Sequence, residues 1–140
     1  MKWIFLLHLV STFYMLGLCW FVQIVHYPLF LKIPEKQFSA YQKKNWLTGY
    51  VTGPVMILEL ITGLVLLYSY QDLNYLINLA LIGVTGFSTL LIQIPIHIQL
   101  KRERSVLLIQ KLIRTNWIRT VSWTARTALL SHIILKGLNL

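Results

Sequence analysis

The sequence predicts an all-α fold: an up-down bundle of four transmembrane helices, with short amphipathic interfacial helices in loops 1 and 3. Three observations carry that expectation. Of the 140 residues, 56% are hydrophobic and only 12% are charged, a balance foreign to soluble domains of this size. Four apolar runs, approximately residues 3–31, 50–70, 73–100 and 117–138, are each long enough to cross ~30 Å of hydrocarbon at ~1.5 Å per residue. Together the runs nearly use up the chain, so residues 1–140 are expected to form a single integral membrane domain.

Each element has a local rationale. Span 1 begins like a secretory signal, with Lys2 before an apolar stretch. It has no small-x-small cleavage site and runs well past signal length, so an uncleaved span is expected. Pro28, just after His26 and Tyr27, kinks or ends it. In loop 1, Pro34-Glu35 starts a helix. Phe38, Tyr41 and Asn45 follow at helical spacing beside Trp46, the pattern of an interfacial helix. Gly49, Gly53 and Pro54 make a flexible entry to span 2. The tight loop Gln71-Asp72-Leu73-Asn74 forces spans 2 and 3 to be antiparallel neighbours. Gly83, Gly86 and Ser88 are small enough to let span 3 approach another helix closely, and Pro95 interrupts its end. In loop 3, Val106, Ile109, Leu112 and Ile113 face one way while Arg104, Lys111 and Arg114 are available on the other. That segment is expected to lie along the membrane surface. Span 4 opens with Asn116-Trp-Ile-Arg-Thr-Val-Ser-Trp-Thr-Ala-Arg126.

The net charge of +9 is not spread as a nucleic-acid-binding surface would spread it. Lys32, Lys36, Lys43 and Lys44 fall between spans 1 and 2. Lys101, Arg102, Arg104, Lys111, Arg114 and Arg119 fall between spans 3 and 4 or at that boundary, against Lys2 and Lys136 on the other side. The positive-inside rule then places loops 1 and 3 in the cytoplasm and both termini outside. The lipid bilayer, with its anionic headgroups, is the expected partner of the basic loops; nucleic acid is not. A single cysteine, Cys19, excludes an intramolecular disulfide and any dithiol redox mechanism. No catalytic serine or cysteine arrangement, phosphate-binding glycine loop or zinc spacing is present.

Polar residues form stripes at three- and four-residue spacing. Span 1 carries His8, Thr12, Met15, Cys19, Gln23, His26 and Phe30. Span 2 carries Thr52, Met56, Glu59, Gly63 and Tyr70. Gly86, Gln93 and His97 share a face of span 3, and Asn116, Arg119, Trp123 and Arg126 line span 4. In lipid these faces should turn inward, where polar groups satisfy one another. Glu59 and Arg126 lie at similar depth, roughly 12 Å from the cytoplasmic boundary at ~1.5 Å per residue. An intramembrane Glu59–Arg126 pair is therefore expected. Gln23, His26, Gln93, His97, Asn116 and Arg119 fall nearer the cytoplasmic mouth, while His8 and His132 fall near the opposite surface as interfacial residues. His26 and His97 sit at similar depth on diagonal helices, which suits a metal or b-haem ligand pair. The favoured reading of the two is a role bonding backbone groups freed by Pro28 and Pro95. Trp123, between the two arginines, is expected to make a cation–π contact or to pack against a flat ligand.

Several segments resemble a family of small, uncharacterised bacterial four-span membrane proteins. They are Gln23-x-x-His26-Tyr-Pro-Leu-Phe30, Phe38-x-x-Tyr41, Gly53-Pro54-x-Met56-x-x-Glu59-Leu60, Gln93-x-Pro95-x-His97 and Asn116-Trp-Ile-Arg-Thr-x-x-Trp-x-x-Arg126. More distantly, the chain is similar to the anthrone-oxygenase-like family, which has an Asn-x-x-Arg-Thr pattern opening its last span. That family tends to carry asparagine where His97 stands here. The resemblance implies a bacterial inner-membrane location and a lipophilic, planar substrate.

The resulting expectation is a polar pocket in the cytoplasmic half of the bundle. Its leading function is oxidoreductase or oxygenase-like chemistry on a lipid-soluble ring compound, a quinone or a polyphenol. The catalytic candidates are His26, Glu59, His97, Arg119 and Arg126, and the ligand-binding candidates Gln23, Gln93, Asn116 and Trp123. Arg119 and Arg126 would hold an oxyanion, Glu59 would orient Arg126, and His26 or His97 would move protons or ligate a metal. The cofactor is left open between haem b, a metal ion and none, and a homo-oligomer is compatible with the chain. The rival expectation is a non-catalytic subunit or lipid-binding module whose polar stripe fastens helices together.

Overall fold

A computed structural model describes residues 1–137, and every described element is helical, with no strand. Leu138, the expected end of span 4, lies outside the described residues. Four long helical rods pack as neighbours in the order of the chain. They are α1 (Lys2–Lys32), α2 (Glu35–Tyr70), α3 (Leu73–Arg102) and α4 (Val106–Gly137). α1 packs on α2, α2 on α3, α3 on α4, and α4 back on α1. This closed order leaves α1 diagonal to α3, and α2 diagonal to α4. The first three rods are long and apolar enough to cross a membrane. α4 also has the length, but Lys111, Arg114, Arg119, Arg126 and Lys136 lower its mean hydropathy.

The packing is inverted relative to a water-soluble bundle. Ile24, Ile57, Phe87, Leu91 and Val121 project outward, whereas His8, Gln23, Glu59, Asn78, Gln93, Asn116, Arg119 and Arg126 are buried. Such an arrangement suits a hydrocarbon surround, since the polar groups can be satisfied only inside. An apolar cluster of Tyr27, Phe30, Phe38, Ile96, Leu100, Ile109 and Leu112 closes the end that carries the basic loops.

Neither proline ends its helix. α1 runs through Pro28 to Lys32, and α3 runs through Pro95 to Arg102. Each proline is preceded by a π-helical turn, at Val22–His26 and Thr89–Gln93. Tyr27 N–H bonds to Val22 C=O, and Ile94 N–H to Thr89 C=O, each reaching back five residues instead of four. The wider turn absorbs the proline's missing donor and its clash with the preceding carbonyl. Gly49, Gly53 and Pro54, expected as a flexible entry, also lie within a continuous helix, Leu47–Tyr70.

The connections are short. Gln71 adopts a left-handed conformation (φ 48°) and its N–H bonds to Leu67 C=O at 2.8 Å, ending α2. Asp72 then caps α3 by accepting from Asn74 N–H at 2.8 Å, the expected role of an N-cap carboxylate. The amphipathic residues of loop 3 are not a separate helix: from Val106 onward they form the first turns of α4. The loop 1 helix, Glu35–Asn45, buries Phe38, Gln42 and Asn45 against the bundle. Close helix approach occurs at Gly63, where an added Cβ would stand 2.8 Å from Ile82 Cδ1 and 3.4 Å from His8 Cε1. At Gly83 and Gly86 a Cβ would meet open space, so those two do not serve the close packing expected of them.

Candidate functional site

The polar interior divides into a sealed network at mid-bundle and a cavity nearer the basic end. The network forms where the two diagonals of the bundle cross. Arg126 on α4 reaches Glu59 on α2, with Nη2 and Oε1 3.1 Å apart and side-chain exposures of 0% and 1%. Arg126 also donates from Nε to Asn78 Oδ1 on α3 (3.1 Å) and from Nη2 to Thr12 Oγ1 on α1 (3.2 Å). One side chain thus binds the other three helices. Trp123 Nε1–H donates to both carboxylate oxygens of Glu59, at 3.2 and 3.1 Å. The expected ion pair is present, and Trp123 joins it through its indole N–H. Its ring also lies 5.4 Å from Arg119 Cζ, the cation–π contact foreseen for it.

His8 belongs to this network and not to the membrane surface. Asn78 Nδ2–H donates to His8 Nε2 at 3.0 Å, and His8 Nδ1 lies 2.7 Å from Thr62 Oγ1. The Thr62 hydroxyl donates in turn to Leu58 C=O at 2.7 Å. With that hydroxyl proton committed, the imidazole proton resides on Nδ1 and points at Thr62. His132 is exposed, as an interfacial residue should be.

The cavity holds about 500 Å³. Cys19, His26 and Tyr27 of α1, Asn45, Trp46, residues 48–53 and Met56 of α2, Gln93 and His97 of α3, and Arg119 of α4 border it. Both π-turns contribute to the wall, and such turns recur at functional sites. Gly49 and Gly53 also border the cavity, and an added Cβ at either would meet no atom within 4 Å. Arg119 is 8% exposed, and its Nε has no hydrogen-bond partner. Its Nη1 donates a long bond of 3.4 Å to Asn116 Oδ1. Asn116 Nδ2 donates to Gln23 Oε1 at 2.9 Å, and Gln23 Nε2 donates to Ile113 C=O at 3.1 Å. Gln93 Oε1 accepts from Ser88 Oγ at 3.0 Å.

His26 and His97 come together, linked through Asn45. His26 Nε2–H donates to Asn45 Oδ1 at 2.7 Å, and Asn45 Nδ2 faces His97 Nδ1 at 3.5 Å. His97 Nε2 lies 3.2 Å from Tyr27 Oη. These bonds, and not backbone groups freed by the prolines, occupy the two rings. Both Nε2 atoms are engaged by side chains, so the pair does not fit axial ligation of a haem between them. Among the described residues no group of three His, Cys, Asp or Glu could hold a metal ion.

The structure thus separates the sequence-derived site residues. His26, His97, Gln93 and Arg119 border the cavity; Glu59, Arg126 and Trp123 are closed off in the network; Gln23 and Asn116 support Arg119 from behind. Four participants were not anticipated as site residues. Asn78 and Thr62 lay unmarked in apolar runs, although a buried asparagine in a membrane-length helix is itself a signal. Asn45 and Tyr27 act through contacts 52 and 70 residues away in sequence. No protein family, curated protein or solved structure matches the chain.

Proposed function

We propose that all four helices cross a bilayer and that the cavity binds a lipid-soluble ring compound carrying oxygen substituents, a quinone or a polyphenol. In this reading the membrane is the bacterial inner membrane, the basic loops face the cytoplasm, and both termini lie outside. The loop 1 helix then sits at the cytoplasmic interface, and α4 spans despite its charge because Arg119 and Arg126 face inward. The carrying observation is the buried Arg119 beside an apolar-walled space, with a guanidinium N–H left unpaired. A buried unpaired donor is costly, on the order of 1–3 kcal/mol, and an acceptor oxygen on a ligand removes that cost. The resemblance to anthrone-oxygenase-like proteins points to the same substrate class.

As an oxidoreductase or oxygenase-like enzyme, the protein would use Arg119 to stabilise a phenolate-type oxygen. His97, with Tyr27 and Asn45 on its two nitrogens, or His26 would take up the proton. The second reading, a non-catalytic subunit or lipid-binding module, draws support from Glu59 and Arg126. Their closure from the cavity makes them a helix fastener rather than reacting groups.

Binding of a fully ring-substituted, short-tailed benzoquinone to protein in detergent, read by quenching of the tryptophan fluorescence, tests the proposal. Saturable quenching is expected, weakened roughly ten- to hundredfold in Arg119→Gln, the equivalent of losing about 1.5–3 kcal/mol from one charge-assisted bond. Quenching that does not saturate, or that is the same in Arg119→Gln, would refute it.

A further inference from the structure

The cavity's border includes residues on the outer, apolar surface of the bundle. Phe21 of α1 (53% exposed) and Tyr50 and Val51 of α2 (71% and 52% exposed) lie on the same wall as the buried Cys19 and Arg119. The space therefore extends from Arg119 at the centre to the lipid-facing flank beside the first turns of Leu47–Tyr70. Between the larger residues of that flank, Gly49 and Gly53 stand without side chains, and an added Cβ at either would meet nothing within 4 Å. Pro54 adds a weak point to the same segment, since it cannot donate a backbone hydrogen bond within the helix. The basic end, by contrast, is plugged by Phe30, Phe38, Leu100, Ile109 and Leu112, each 0–1% exposed.

From this geometry we infer that the cavity is loaded sideways from the bilayer, and that its ligand carries a hydrocarbon tail. The ring enters between α1 and the start of Leu47–Tyr70 and sets an oxygen against Arg119. The tail, an alkyl or prenyl chain, stays in the lipid beside Phe21 and Val51. A water-soluble, tail-free phenol has no comparable route, because the apolar plug blocks the basic end. The inference rests on the proposed ring-compound function and narrows its ligand class.

The lone cysteine offers a test in the native chain. Cys19 is 2% exposed and borders the cavity. Protein in phospholipid vesicles is treated with a lipophilic maleimide or with a charged, membrane-impermeant one, and modification is followed by intact mass, with Cys19→Ser as background control. Lateral loading predicts at least tenfold faster modification by the lipophilic reagent. Gly53→Leu, which fills the entry, should slow that reaction several-fold. A fully ring-substituted benzoquinone carrying one decyl chain, which has no open position for thiol addition, should protect Cys19, and its counterpart with methyl in place of decyl at equal membrane concentration should not. Equal or faster labelling by the charged reagent, or no labelling by either, would overturn the lateral route. Protection by the tail-free quinone would overturn the tail. Lateral labelling with protection by neither quinone would instead remove the ring-compound reading and leave the route standing.

Discussion

Replacing Arg126 with methionine is expected to be among the most damaging single apolar substitutions in the chain. The guanidinium has no exposure and donates to Glu59, Asn78 and Thr12 on three helices. Its removal leaves the Glu59 carboxylate, itself 1% exposed, with only the Trp123 indole as partner. Breaking a buried pair in this way costs about 3–5 kcal/mol. Glu59→Leu strands the arginine instead and should cost a similar amount. The double variant Glu59→Leu/Arg126→Met removes both charges together. What remains unpaired is Trp123 Nε1–H and Asn78 Oδ1, at about 1 kcal/mol each, so the pair should cost about 2 kcal/mol in total. Reversible unfolding in mixed detergent micelles, run as a double-mutant cycle, measures these terms. Single variants within 1 kcal/mol of wild type would refute the reasoning, as would a double variant as unstable as the two singles summed.

Three further outcomes follow from the same contacts. His8→Ala loses bonds to Asn78 and Thr62 in a buried site and should destabilise by about 2–4 kcal/mol, whereas His132→Ala should stay within about 0.5 kcal/mol; the same unfolding assay reads both. Gly63→Leu forces side-chain atoms toward Ile82 and His8 and should cost about 1–3 kcal/mol. Gly86→Ala, in open space, should be neutral or stabilising by up to about 1 kcal/mol. The optical spectrum of protein purified after expression with haem supply should show no Soret band, because Asn45 and Tyr27 occupy the Nε2 atoms of His26 and His97; a band lost in His97→Ala would refute that assignment.

Periodicity made one part of this molecule legible and hid another. Glu59 and Arg126 stood out because charges are rare in membrane-length runs, and their equal depth named the partner. The inward faces of Gln23, Gln93 and Asn116 followed from three- and four-residue spacing. Counting depth from the cytoplasmic boundary misled for His8: depth alone made it an interfacial residue, yet it faces the bundle interior, fully buried and bonded to Asn78 and Thr62. The prolines were legible only in part. A local rule expects a kink or an end at Pro28 and an interruption at Pro95, but the π-turns before them let both helices continue. Asn45 was unreadable for a third reason. Its place between two histidines depends on how the loop 1 helix docks on the bundle, and no local spacing encodes that docking.

The most direct test is to identify what occupies the cavity. Protein extracted into bilayer discs without detergent can be analysed for small molecules by mass spectrometry, alongside Gly53→Leu and Arg119→Gln. The expected result is a tailed, oxygen-bearing ring compound retained near stoichiometrically by the wild-type protein and depleted in both variants. Recovery of phospholipid alone, in equal amounts from all three proteins, would contradict the assignment of this cavity as a ring-compound site.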